Sequence, residues 1–75
     1  MRVHFRKYPE HVRELDKQII SVLLNAHWKA AVLALVQSGE ATLEEADARA
    51  IPSVDAFAKE SFPEMQIDVL PDADQ

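Results

Sequence analysis

Residues 37–57 read Gln37-Ser38-Gly39-Glu40-Ala41-Thr42-Leu43-Glu44-Glu45-Ala46-Asp47-Ala48-Arg49-Ala50-Ile51-Pro52-Ser53-Val54-Asp55-Ala56-Phe57. Gly39 is the sole glycine of the chain and suits the position after a helix end, where a left-handed backbone costs a residue without Cβ least. Thr42 to Glu45 has the capping-box spacing, in which the Thr hydroxyl and the Glu carboxylate each accept the other residue's backbone N–H. A helix over 43–50 follows. Pro52 cannot continue it, and Ser53 is a good N-cap for a second short helix with Val54, Phe57, Ala58 and Phe62 on one apolar face, ending before Pro63.

Upstream of Gly39, Val12, Leu15, Ile19, Val22, Leu23, Ala26, Ala30 and Leu33 recur at steps of three and four, so residues 9–38 read as helical, with Pro9 in the first turn. Asn25-Ala26-His27 is the weakest part of this stretch. Two helices meeting in a bend there are expected, because one rod of thirty residues would leave so short a chain little means of covering it. Arg2 to Tyr8 alternates Val3 and Phe5 against Arg2, His4 and Arg6, an extended arm; Met65, Ile67 and Val69 alternate with Gln66 and Asp68 at the other end. These ends can pair as a two-stranded ribbon, and residues 71–75 decay into disorder. The fold class expected is mostly α: a tri-helical helix-turn-helix-like domain (9–62) with a preceding helix and short extended arms at both ends, basic at 1–8 and acidic at 63–75.

Seventy-five residues at 48% hydrophobic make one small domain, since a chain this short buries only about 60% of its unfolded surface. No cysteine is present, which excludes a disulfide framework or a thiolate metal cluster and makes a reducing cytoplasm the default. The longest unbroken apolar run, residues 30–36, falls far short of the roughly 20 needed to span a bilayer, and no secretory h-region follows the charged start, so neither export nor a membrane span is expected. The net charge of −5 is unevenly spread. Through Gln37, six cations oppose three carboxylates, for +3; from Ser38 onward, two oppose ten, for −8. Such a chain faces two different partners or closes on itself by attraction between its ends.

Residues 29–57 resemble, without a gap, the SciP family of small bacterial transcription inhibitors. The resemblance is carried by Lys29, Ala30, Val32, Val36, Gly39, Thr42, Leu43, Glu44, Glu45, Ala46, Arg49, Ser53, Val54 and Phe57. It departs where Ala50 replaces the family's aromatic and Pro52 an apolar turn residue. The resemblance implies a helix-turn-helix fold and a role in transcription control, exerted on a regulatory protein or on DNA. A helix that reads bases needs Arg, Lys, Asn or Gln near its start. The outward positions here are Asp55, Ala56, Lys59 and Glu60, in the acidic half of the chain, which phosphate repels.

Three functions are therefore weighed. The first is a transcription regulator, of a kind a phage can encode, that binds RNA polymerase or a transcription factor. The second is a DNA-binding repressor whose arm supplies Arg2, Arg6 and Lys7 to phosphate. The third is an antitoxin-like or structural homodimer with a seam of Val12, Leu15, Ile19 and Val22. Candidate partner-binding residues are Arg2, His4, Phe5, Arg6, Lys7 and Tyr8 of the arm, Asp55, Ala56, Lys59 and Glu60, and Ile67, Val69 and Leu70 as apolar anchors of a tail that folds against a basic groove. The bland readings beside these are an edge strand kept soluble by its charges and a solubilising end. His4, His11 and His27 lack ligand spacing, Trp28 reads as the main core aromatic, and the serines lack a nucleophile context. No metal, cofactor or catalysis is expected.

Overall fold

The computed structural model describes residues 1–72. In chain order the elements are β1 (Arg2–Lys7), α1 (Glu14–Gln37), α2 (Leu43–Arg49), α3 (Ile51–Ser61) and β2 (Gln66–Leu70). The chain is mostly helical with a short strand at each end, as the patterning predicts; residues 73–75 of the expected disordered tail lie outside the described residues.

The expected bend does not form: α1 is one helix of 24 residues. The polar and aromatic residues in and beside the suspect stretch are held on the helix. The Asn25 amide donates to the Ser21 carbonyl one turn back at 2.9 Å, the His27 ring stacks on Phe57 with centroids 4.5 Å apart, and the Trp28 indole N–H donates to the Asp47 carbonyl at 3.1 Å. The start also differs. Residues 9–12 form a turn closed by Val12 N–H to the Pro9 carbonyl, and α1 opens after Arg13, whose backbone N–H and guanidinium both donate to the Asp16 carboxylate. That contact holds the Asp16 carboxyl below its usual range.

Gly39 has φ +79° and ends the helix as expected, with the Glu40 N–H donating back to the Leu35 carbonyl at 3.1 Å. The Thr42–Glu45 capping box is present in both directions, at 3.2 and 2.9 Å. The break expected between a helix ending at residue 50 and one capped by Ser53 is a single residue. Ala50 keeps a right-handed helical conformation (φ −77°, ψ −16°) and serves both as the end of α2 and the start of α3. Pro52 falls in the first turn of α3, where its missing N–H has no partner to lose, so it starts this helix rather than separating the two. Ser53 is consequently not the cap; its hydroxyl lies 3.2 Å from His27 Nε2.

The Thr42 N–H holds the Glu45 carboxyl below the ordinary 4.5. A folded-state value below the unfolded one means that the stabilisation is complete at neutral pH and is lost as pH falls through the folded value. Thermal midpoints of the chain and of Glu45→Gln, measured from pH 7 to pH 3, are expected to differ at neutral pH and to converge below the carboxylate range. Parallel curves would remove Glu45 from the acid sensitivity.

The core is formed by Ile20 and Leu24 of α1, Val54 and Ala58 of α3 and Val69 of β2. Val3, Phe5, Trp28, Phe57, Phe62 and Ile67 pack around it. β1 and β2 pair antiparallel, with Val3 opposite Val69, His4 opposite Asp68 and Phe5 opposite Ile67. A ribbon of two strands is marginal alone, and α3 covers its apolar side. All of this lies on one side of α1.

Candidate interaction surface

The opposite ends of the chain close on each other. Asp68 takes both His4 (3.6 Å) and Arg6 (3.5 Å) across the ribbon, and Tyr8 is drawn to α1 by Lys17, whose ammonium lies 3.2 Å from the phenol oxygen and 4.5 Å from the ring centroid. Arg2, also on the ribbon, is likewise engaged. Lys7 is exposed at the irregular step of the register. The basic segment is thus a paired strand of the domain and not an arm extended towards a partner. Phe5, Ile67 and Val69, weighed as partner contacts, follow the inward alternation also read from the two terminal segments. They face the core, with Val69 8% exposed, because alternation on a paired strand turns every second side chain inward. Of the proposed tail anchors, Leu70 alone stays substantially exposed.

On α3, Ala56, Lys59 and Glu60 are exposed and Asp55 is half-buried. The Lys59 ammonium pairs with Asp55 at 3.0 Å, one turn back. The cation that a groove-reading helix would offer to phosphate is therefore already beside a carboxylate.

The large unsatisfied surface lies elsewhere. On α1, Leu15, Ile19, Val22, Leu23 and Leu33 keep 48% to 67% of their surface in solvent. At about 100° per residue, Leu15, Val22, Ala26 and Leu33 point within about 20° of the direction opposite Leu24. The helix therefore carries two apolar faces, and the fold covers one. Val12, expected in the same seam, is half-buried in the turn ahead of the helix and is not on the stripe. Depressions lined by Leu15, Ile19 and Val22, by Ser21, Asn25 and Ala26, and by Trp28, Val32, Leu33, Val36 and Leu43 follow this side of α1. The last, of about 410 Å³, is almost wholly apolar, and Leu43 at its rim is 70% exposed.

The shape of the molecule reflects the bare face. A monomeric protein of 8.5 kDa exposes about 4,700 Å²; this one exposes 5214 Å² and measures 42 × 26 × 17 Å. The excess goes with the elongated outline set by the 24 residues of α1. Lys29 is the one charged residue of α1 beyond Lys17; it borders the stripe and has no ion-pair partner among the described residues. By length and composition alone, α1 is also apolar enough to cross a membrane, which the short unbroken runs of its sequence conceal.

Sequence periodicity places Leu15, Ile19, Val22, Ala26 and Leu33 on a shared face of the helix but passes over Ile20 and Leu24, the two residues of α1 that are buried. No family model, curated protein or solved structure matches this chain.

Proposed function

We propose that the chain is a non-catalytic protein-interaction module that docks through the outer face of α1. The exposed row Leu15, Ile19, Val22, Leu23 and Leu33 carries this reading. Fully burying such a side chain is worth about 1.5–3 kcal/mol, so covering the exposed half of five contributes about 5 kcal/mol from this chain before the costs of association. Neither the ribbon nor α3 offers a comparable gain. Arg6 is already paired with Asp68 and Lys59 with Asp55, and surface ion pairs return little when exchanged for others.

The resemblance to small transcription inhibitors makes transcription control the setting for such a module, with RNA polymerase or a transcription factor as the machinery it acts on. The one-residue junction at Ala50 supports protein docking over base reading, because a helix-turn-helix pair is joined by a turn of three to four residues.

The test is a comparison of the tagged chain with Val22→Asp/Leu33→Asp, two changes on exposed positions that leave the core intact. Protein retained through a high-salt wash by the original chain and lost from the variant is the expected result, since apolar docking survives salt that screens charge. Equal retention by both, or tight binding to duplex DNA that falls steeply with salt, overturns the reading.

A further inference from the structure

We infer that the occupant of this face is the same face of a second copy, lying antiparallel with its two-fold axis near position 24 of α1. The inference rests on the docking reading above and adds the partner and its direction.

The stripe is symmetric about that position. Leu15 and Leu33 lie nine residues to either side, Ile19 and Lys29 five, and Val22 and Ala26 two. An antiparallel pair therefore sets each Leu15 against the other copy's Leu33, each Val22 against the smaller Ala26, and each Ile19 against the aliphatic stem of Lys29. Leu15 arrives beside the apolar groove of Trp28, Val32, Val36 and Leu43, which has room for a leucine side chain.

Charge selects the same direction. Antiparallel packing carries the unpaired Lys29 towards the first turn of the other copy, where Glu14, 83% exposed and 2.8 Å from Lys17 of its own chain, has a carboxylate able to take a second cation, and sets the two helix dipoles head to tail. Parallel packing would place Lys29 against Lys29 and acidic first turn against acidic first turn. The ribbon and the core face of α3 stand on the far side of α1, and α2 meets the stripe at the rim of the groove through Leu43.

The chain contains no cysteine, so single introduced thiols report the direction without background. Sedimentation of the full chain across a concentration series is expected to show a monomer–dimer equilibrium, abolished in Val22→Asp. Oxidising a mixture of Leu15→Cys and Leu33→Cys chains is expected to give the mixed disulfide, while either variant alone gives little, because like positions lie some 27 Å apart along antiparallel helices. Lys29→Glu is expected to weaken the dimer about tenfold, and adding Glu14→Lys to restore it. Self-linking of each single-cysteine variant shows a parallel pair and overturns the inference. So does a chain that stays monomeric, whether or not it floats with phosphatidylcholine–phosphatidylglycerol vesicles. If that monomer still loses a retained protein on Val22→Asp/Leu33→Asp, the docking reading stands and the second copy alone is wrong.

Discussion

Leu24→Ala is expected to lower the stability of the domain by about 3–4 kcal/mol, from the lost transfer energy of the side chain plus the cavity left behind. Leu24 is fully buried and belongs to the cluster that joins α1 to α3 and β2, so no solvent-facing rearrangement can refill the space. A domain of this length has roughly 4–10 kcal/mol in all, and the change corresponds to a fall of about 15–25 °C in thermal midpoint. Leu33→Ala, the same substitution on the same helix but on the exposed face, is expected to stay within about 0.5 kcal/mol when measured in the dissociated Val22→Asp background. Far-ultraviolet circular dichroism during heating measures both. A severe Leu33→Ala beside a mild Leu24→Ala would mean that the two faces of α1 have been assigned the wrong way round, and the docking surface would vanish with that assignment.

Trp28→Ala is the second large effect, expected at about 3 kcal/mol and felt first in α2. At seven residues α2 is too short to persist alone, so its stability comes from its capping box and its packing on α1. The Trp28 ring supplies part of that packing, and its N–H satisfies the Asp47 carbonyl within α2. Trp28→Phe keeps most of the contact and loses the hydrogen bond, for an expected cost of about 1 kcal/mol. Hydrogen exchange should show the α2 amides opening in Trp28→Ala ahead of the core of α1. Uniform loss of protection across both helices would instead make Trp28 part of the global core.

The legible parts of the fold were those specified by neighbouring residues. Gly39, the Thr42–Glu45 box and the alternation in both terminal segments each work over two to five residues, and each appears where it was read. The misread parts depended on what lay across from them. Asn25 and His27 look like a break until Ser21 and Phe57 are seen to occupy them, and Pro52 looks like a terminator until the helical backbone at Ala50 makes it a first-turn residue. Opposite charge marks the basic and acidic ends as complementary, and the pairing of β1 with β2 makes them each other's partners.

By itself, then, the sequence determined a mostly helical small domain, the helix end at Gly39 and the helix start at Thr42, and a first helix rich in apolar residues with opposite charge at the two ends of the chain. The tertiary structure decided which face of that helix is core. A helix apolar on both sides has no single direction in its periodicity, and Leu15, Ile19, Val22 and Leu33 satisfy a spacing rule as well as Ile20 and Leu24 do. The choice was made by α2, α3 and the ribbon, which pack on α1 so that Ile20 and Leu24 are covered while Leu15, Val22 and Leu33 stay exposed. The uncovered side is the surface on which the proposed function rests.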